Sequence, residues 1–160
     1  MALKSDRYEL QTDISFFYNA AATTRGCVVA HAATTDPTGG GMDQGVNLCA
    51  KSTSAVPVGI LLNDVVDKDL TRTHLNQYKD EVQKGGKVTV LTRGWVVTNN
   101  VDGTPGPGDM AYASNAVAGN IATSAANAAQ SGALSLGRFM SAKDADGYAK
   151  VYINLPNHGA

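Results

Sequence analysis

Charge is scarce in this chain. Only 17% of its 160 residues are Asp, Glu, Lys or Arg, against about 25% in an ordinary soluble domain, and a surface so poor in charge suits a protein that is partly covered by a partner. The 13 basic and 14 acidic residues nearly cancel, and the basic ones are dispersed. That excludes the electrostatic stripe by which a nucleic-acid binder holds phosphates. Long apolar runs are also missing. No stretch approaches the ~18 residues needed for a spanning helix, and the opening Met1-Ala2-Leu3-Lys4-Ser5-Asp6-Arg7 lacks the apolar core of a secretion signal. The expectation is a soluble protein made in the cytoplasm, with no membrane partner.

Cysteine is limited to Cys27 and Cys49, each inside a short apolar run. Two cysteines make no disulfide framework, and a free thiol packs as a small hydrophobe. Both are expected reduced and buried. His31, His74 and His158 lie far apart with no neighbour at metal-ligand spacing, and no Gly-x-Ser-x-Gly elbow presents a nucleophile. Asp144-Ala145-Asp146-Gly147 has the look of a calcium loop. In that register, however, Ala142 and Ile153 fall where oxygen donors are required, so a hairpin turn is the reading. Lys84-Gly85-Gly86-Lys87 fails the phosphate-loop spacing in the same way, with Glu81 and Val88 at the two key positions. No catalytic residue, cofactor site or metal site is expected, and the chain is read as no enzyme.

What is present is strand pattern. In Ala149-Lys150-Val151-Tyr152-Ile153-Asn154-Leu155, alternate residues are apolar, which gives one face to a core and the other to water or a partner. The run Ala55 to Val66 is apolar and β-branched enough for a buried strand starting after Pro57. Residues 26–32 and 45–50 read as two strands joined by the loop Asp36-Pro37-Thr38-Gly39-Gly40-Gly41. Residues 87–93 and 95–100 read as one strand bent at Gly94, and the Ala-rich stretch 124–132 as a loop. Leu70, His74, Tyr78 and Val82 recur every fourth residue ahead of Gly85-Gly86, which predicts one short helix. Trp95 is assigned to the core, with an interface anchor as the second reading.

Residues 1–18 carry Tyr8, Leu10, Ile14, Phe16, Phe17 and Tyr18 among interleaved charges, with no clean period. Such a segment is expected to be a docking arm, ahead of a single β-rich domain over 19–160. The fold class expected is mainly β, a compact barrel or sandwich with one short helix and an extended N-terminal arm.

Leu136-Gly137-Arg138-Phe139-Met140 through Asp144-Ala145-Asp146-Gly147 to Leu155-Pro156, with Pro57-Val58-Gly59-Ile60-Leu61-Leu62-Asn63-Asp64 and Gly85-Gly86-Lys87-Val88-Thr89-Val90-Leu91, resembles the decoration, or head cement, proteins of tailed bacteriophages. The resemblance covers roughly residues 55–156 and, more loosely, the aromatic arm before residue 19. It implies a structural virion protein, made in the bacterial host, that sits on the outer capsid surface and reinforces the lattice against internal DNA pressure. Its implied partners are the phage major capsid protein and further copies of itself, as a homo-trimer or homo-dimer. The contact is expected on Tyr8, Leu10, Ile14, Phe16, Phe17 and Tyr18 of the arm and on Leu70, His74 and Tyr78 of the 67–83 segment. The alternative is a virion module that binds host glycans, with Trp95, Tyr112, Tyr148 and the Asn-rich loops supplying stacking and hydrogen bonds.

Overall fold

The computed structural model describes residues 3–4, 6–32, 48–52, 56–64, 81–82, 84–123 and 135–155. They form twelve strands: β1 (Tyr8–Asp13), β2 (Phe17–Tyr18), β3 (Thr23–Thr24), β4 (Val28–His31), β5 (Leu48–Lys51), β6 (Pro57–Asp64), β7 (Glu81–Val82), β8 (Val88–Thr98), β9 (Met110–Ala113), β10 (Ile121–Ala122), β11 (Ser135–Phe139) and β12 (Ala149–Asn154). Ten of them make one sheet, in the order β10-β9-β11-β12-β8-β6-β4-β5-β2 with β1 added on β8, and β3 with β7 makes a small second sheet. The sheet is mainly antiparallel. It is open, with β10 and β2 as its ends, which corrects the expectation of a closed barrel: closure depends on how far-apart strands meet, and no local pattern encodes that. The expected short helix also fails to appear among the described residues. Residues 65–80 lie outside them, and Glu81 and Val82, where that helix would end, are strand β7 paired with Thr24 and Thr23.

The eleven-residue β8 organises the fold. It pairs with β6 over Val88–Leu91, with β12 over Arg93–Thr98 and with β1 over Val90–Trp95. Two separate apolar cores explain its burial pattern. Val88 and Val90 pack with Phe16, Tyr18, Val29, Val58 and Leu61 in one, while Leu91 and Val96 pack with Ile60, Leu62, Phe139, Val151 and Ile153 in the other. Successive side chains point to opposite faces, so β6 feeds Ile60 and Leu62 to one core and Leu61 to the other, and the register shift of β6 on β4 between Gly59 and Pro57 puts Val58 on the Leu61 side. A strand covered on both faces reads as an unbroken apolar run, which is what the sequence shows there. In β12 the expected alternation holds: Ala149, Val151 and Ile153 are buried, and Asn154 is exposed.

Glycine permits the tight strand contacts. Gly94 adopts φ 141°, and a Cβ on it would run into the Tyr8 carbonyl oxygen. The ladder of β1 on β8 shifts register at this point, between Glu9 and Gln11, so the bend expected at Gly94 is where a bulge on the neighbouring strand is accommodated. At the β11–β12 connection the carboxylate of Asp144 accepts backbone hydrogen bonds from Asp146 (3.0 Å) and Tyr148 (2.8 Å), with Gly147 at φ 82°. The calcium-like motif is a turn that binds itself.

The N-terminal residues are built into the sheet. Leu3 bridges Thr98, the Lys4 amide donates to the Val97 carbonyl (2.9 Å), β1 follows, the Val88 amide donates to the Phe16 carbonyl (2.9 Å), and Phe17 bridges Lys87. The described residues from Leu3 to Phe17 thus run antiparallel to the segment from Thr98 back to Lys87.

Cys27 and Cys49 are free and buried. The β4–β5 register sets His31 opposite Cys49, so Cys27 lies four positions further along, about 13 Å at 3.3 Å per residue, beyond the ~7 Å Cα separation a disulfide can span. Burial pushes the Cys27 thiol up, and burial followed by the charge of Cys27 pushes Cys49 up to about 12. The thiolate is the species that attacks a labelling reagent. Labelling of the native protein near neutral pH is therefore expected to run at least about a hundred-fold slower than in denaturant, where the thiols return to their ordinary range. A native Cys27–Cys49 bridge in a peptide mass map would contradict this.

Candidate docking face

Because Gly94 and Val96 of β8 turn inward, Trp95 between them turns outward and is only half-buried. This corrects the assignment of Trp95 to the core. Cross-strand register then sets the surroundings: Trp95 stands opposite Tyr152 of β12 on one side and Tyr8 of β1 on the other. The result is a row of three aromatic side chains crossing three strands on one outer face. Tyr8 stacks on Trp95 with ring centroids 4.7 Å apart and planes at 26°, an offset arrangement that favours paired rings. The Lys150 Nζ lies 4.9 Å above the Trp95 ring and 3.8 Å from an Asp6 carboxylate oxygen, so its charge is partly balanced within the chain. Trp95, Met140, Lys150 and Tyr152 line an open cleft of about 390 Å³. Met140 is 57% exposed and Tyr8 and Leu10 are each 50% exposed.

A polar clasp closes the rim. The Lys4 Nζ bonds Asp144 at 2.7 Å and lies 4.2 Å from the Tyr148 ring centroid, tying the chain start to the β11–β12 turn. The hydrogen bond between the two holds Lys4 above its ordinary pKa and Asp144 below its own. Both groups are solvent-facing, so the clasp positions more than it stabilises.

The structure divides the six arm residues named from sequence. Tyr8, Leu10 and Ile14 are exposed, Phe17 is half-buried, and Phe16 and Tyr18 are inside a core. Leu70, His74 and Tyr78 lie outside the described residues. Met140, Lys150 and Tyr152 were missed. The outward phase of β12 marks Lys150 and Tyr152, but nothing local shows that β12 lies beside Trp95. The three aromatics of the glycan alternative do not meet in a row: Trp95 on β8 and Tyr112 on β9 are separated by β12 and β11, about 14 Å at ordinary strand spacing, and Tyr148 is covered by Lys4.

Reaction chemistry finds little to work with. Among the described residues no group of His, Cys, Asp and Glu is placed to hold a metal, and His31 stands at the end of β4 with its ring 5.6 Å from that of Phe16. Asp102, Ser114 and Asn120 form a compact cluster, but its bonds are those of a turn. Asp102 accepts from the Ser114 hydroxyl and the Asn120 amide, and Ser114 accepts from the backbone of Ala116 and Val117.

The described residues thus form a β-rich sheet with an aromatic row on its outward face. The comparison with protein families is specific: the chain matches the XM1 gp53 minor capsid protein family over residues 5–153. It belongs to that family, and so to the structural proteins of the phage virion. No curated protein matches the chain.

Proposed function

We propose that this protein is a head cement protein: it binds the outer surface of the capsid, across neighbouring major-capsid subunits, and strengthens the shell against the pressure of packaged DNA. It acts by binding and by no catalysis. The observation that carries the reading is the aromatic row Tyr8–Trp95–Tyr152 with Met140 beside it, held on a rigid sheet and facing outward in a member of a capsid family. Large, partly exposed rings on fixed backbone lose little entropy when covered, which is why aromatic side chains dominate interface energetics. Each site contributes modestly. Copies that touch more than one capsid subunit hold far more tightly, since every contact after the first is intramolecular.

A ligand that binds only the intact shell stabilises it by mass action. Adding the protein to bare, DNA-filled heads is expected to raise the temperature of DNA release with increasing concentration until the sites saturate. Equal release temperatures for bare and saturated heads would reject the cement reading, and binding on a glycan array instead would favour the host-recognition alternative.

A further inference from the structure

We propose that the outer edge of β1 is a self-association site, on which a second copy of this chain adds its own β1 antiparallel, related by a two-fold axis at Leu10. One edge of β1 is taken by β8, and among the described residues no strand pairs with the other. Five of the six β1 residues are exposed. Leu10 has no partner on β8, because the register passes from Glu9–Gly94 to Gln11–Arg93, and its side chain is half exposed. An unpaired strand edge is a template for another strand, and natural edges that resist this carry lysine, proline or a bulge; β1 has the bulge at Leu10. From Tyr8 to Asp13 this edge has neither lysine nor proline.

The occupant is specified by charge. With the two-fold at Leu10, Leu10 meets Leu10 of the second copy, Glu9 meets Gln11, Tyr8 meets Thr12, and Arg7 meets Asp13. The last is an opposite-charge pair that the symmetry makes twice, with the Arg7 guanidinium, whose Nε lies 2.7 Å from Glu9 of its own chain, shared between Glu9 and the second copy's Asp13. Neighbouring registers lose this. An axis at Glu9 sets Glu9 against itself, an axis between Glu9 and Leu10 sets Asp6 against Asp13, and an axis at Gln11 sets Glu9 against Asp13. An axis between Leu10 and Gln11 pairs no charges and sets Leu10 against Gln11. Like charges directly opposite destabilise a strand pair and opposite ones support it, so the edge is self-complementary in one arrangement. That arrangement continues the sheet through both copies, from β12 and β8 of one to β8 and β12 of the other, and brings their two aromatic rows into one surface. The contact is shorter than the ~1,200–2,000 Å² of a stable interface, so the dimer forms in a concentration-dependent way.

Sedimentation equilibrium of the full chain from about 1 µM to 1 mM, without capsids, tests this separately from capsid binding. A monomer–dimer equilibrium is expected. Asp13→Arg, which sets Arg7 against arginine, should weaken it by roughly ten-fold or more, as should Arg7→Asp, while the double charge swap should restore it. Unchanged melting temperatures would confirm that the single variants stay folded. A monomer throughout, a trimer, or a dimer indifferent to both single variants would overturn the proposal.

Discussion

Removal of residues 2–18 is expected to leave a chain that no longer folds. Leu3, Phe16 and Tyr18 are 3%, 7% and 0% exposed, and they belong to both cores, Leu3 to one and the two aromatics to the other. Truncating a buried leucine or aromatic to alanine costs about 2–5 kcal/mol, so losing all three costs about 6–15 kcal/mol, comparable to the ~5–15 kcal/mol total stability of a domain. The deletion also strips β8 of its β1 partner along Val90–Trp95. Circular dichroism of the truncated chain should show no cooperative melting transition. A sharp transition with native-like near-ultraviolet bands would mean that the N-terminal residues are an appendage after all. Milder variants separate the two roles of this segment: Leu10→Ser and Ile14→Ser, at positions 50% and 53% exposed, should fold normally.

The contrast with the sequence reading has a physical origin. Local alternation made β12 legible, and the doubly apolar run of β6 announced a strand covered on both faces. The bend at Gly94 was legible too, because glycine there interrupts a β-branched run. The seating of the N-terminal segment was not, since its partner β8 lies some eighty residues away and the bulge at Leu10 breaks any simple period. A finer signal was present in Phe16-Phe17-Tyr18, where period two separates two inward rings from the one between them. Trp95 was misplaced for a related reason. Gly94-Trp95-Val96-Val97 is apolar on both phases, and only the packing of Val96 into a core decides that Trp95 points out. The docking face itself is a product of register, as Tyr152, Trp95 and Tyr8 are collinear only once β12 and β1 flank β8.

Trp95→Ala is therefore expected to leave the fold standing and to remove most of the affinity for heads. The fold loses one half-buried ring and its stack with Tyr8, and such an aromatic pair is worth about 0.5–1.5 kcal/mol beyond burial; a melting temperature lowered by several degrees is the expected cost. The proposed interface loses its central anchor. Truncated aromatic hot spots typically cost about 2–4 kcal/mol, which is roughly 30- to 1,000-fold in affinity. Tyr152→Ala should act in the same direction, whereas Val117→Ser, at an exposed position between β9 and β10 near the far end of the sheet order, should leave binding intact. Trp95 is the only tryptophan in the chain, so its fluorescence reports on this face alone. Emission should shift to shorter wavelength as heads are added, because covering the ring removes water from it. An unchanged spectrum in a complex that demonstrably forms would move the contact elsewhere on the protein, and an unfolded Trp95→Ala variant would return that residue to the core.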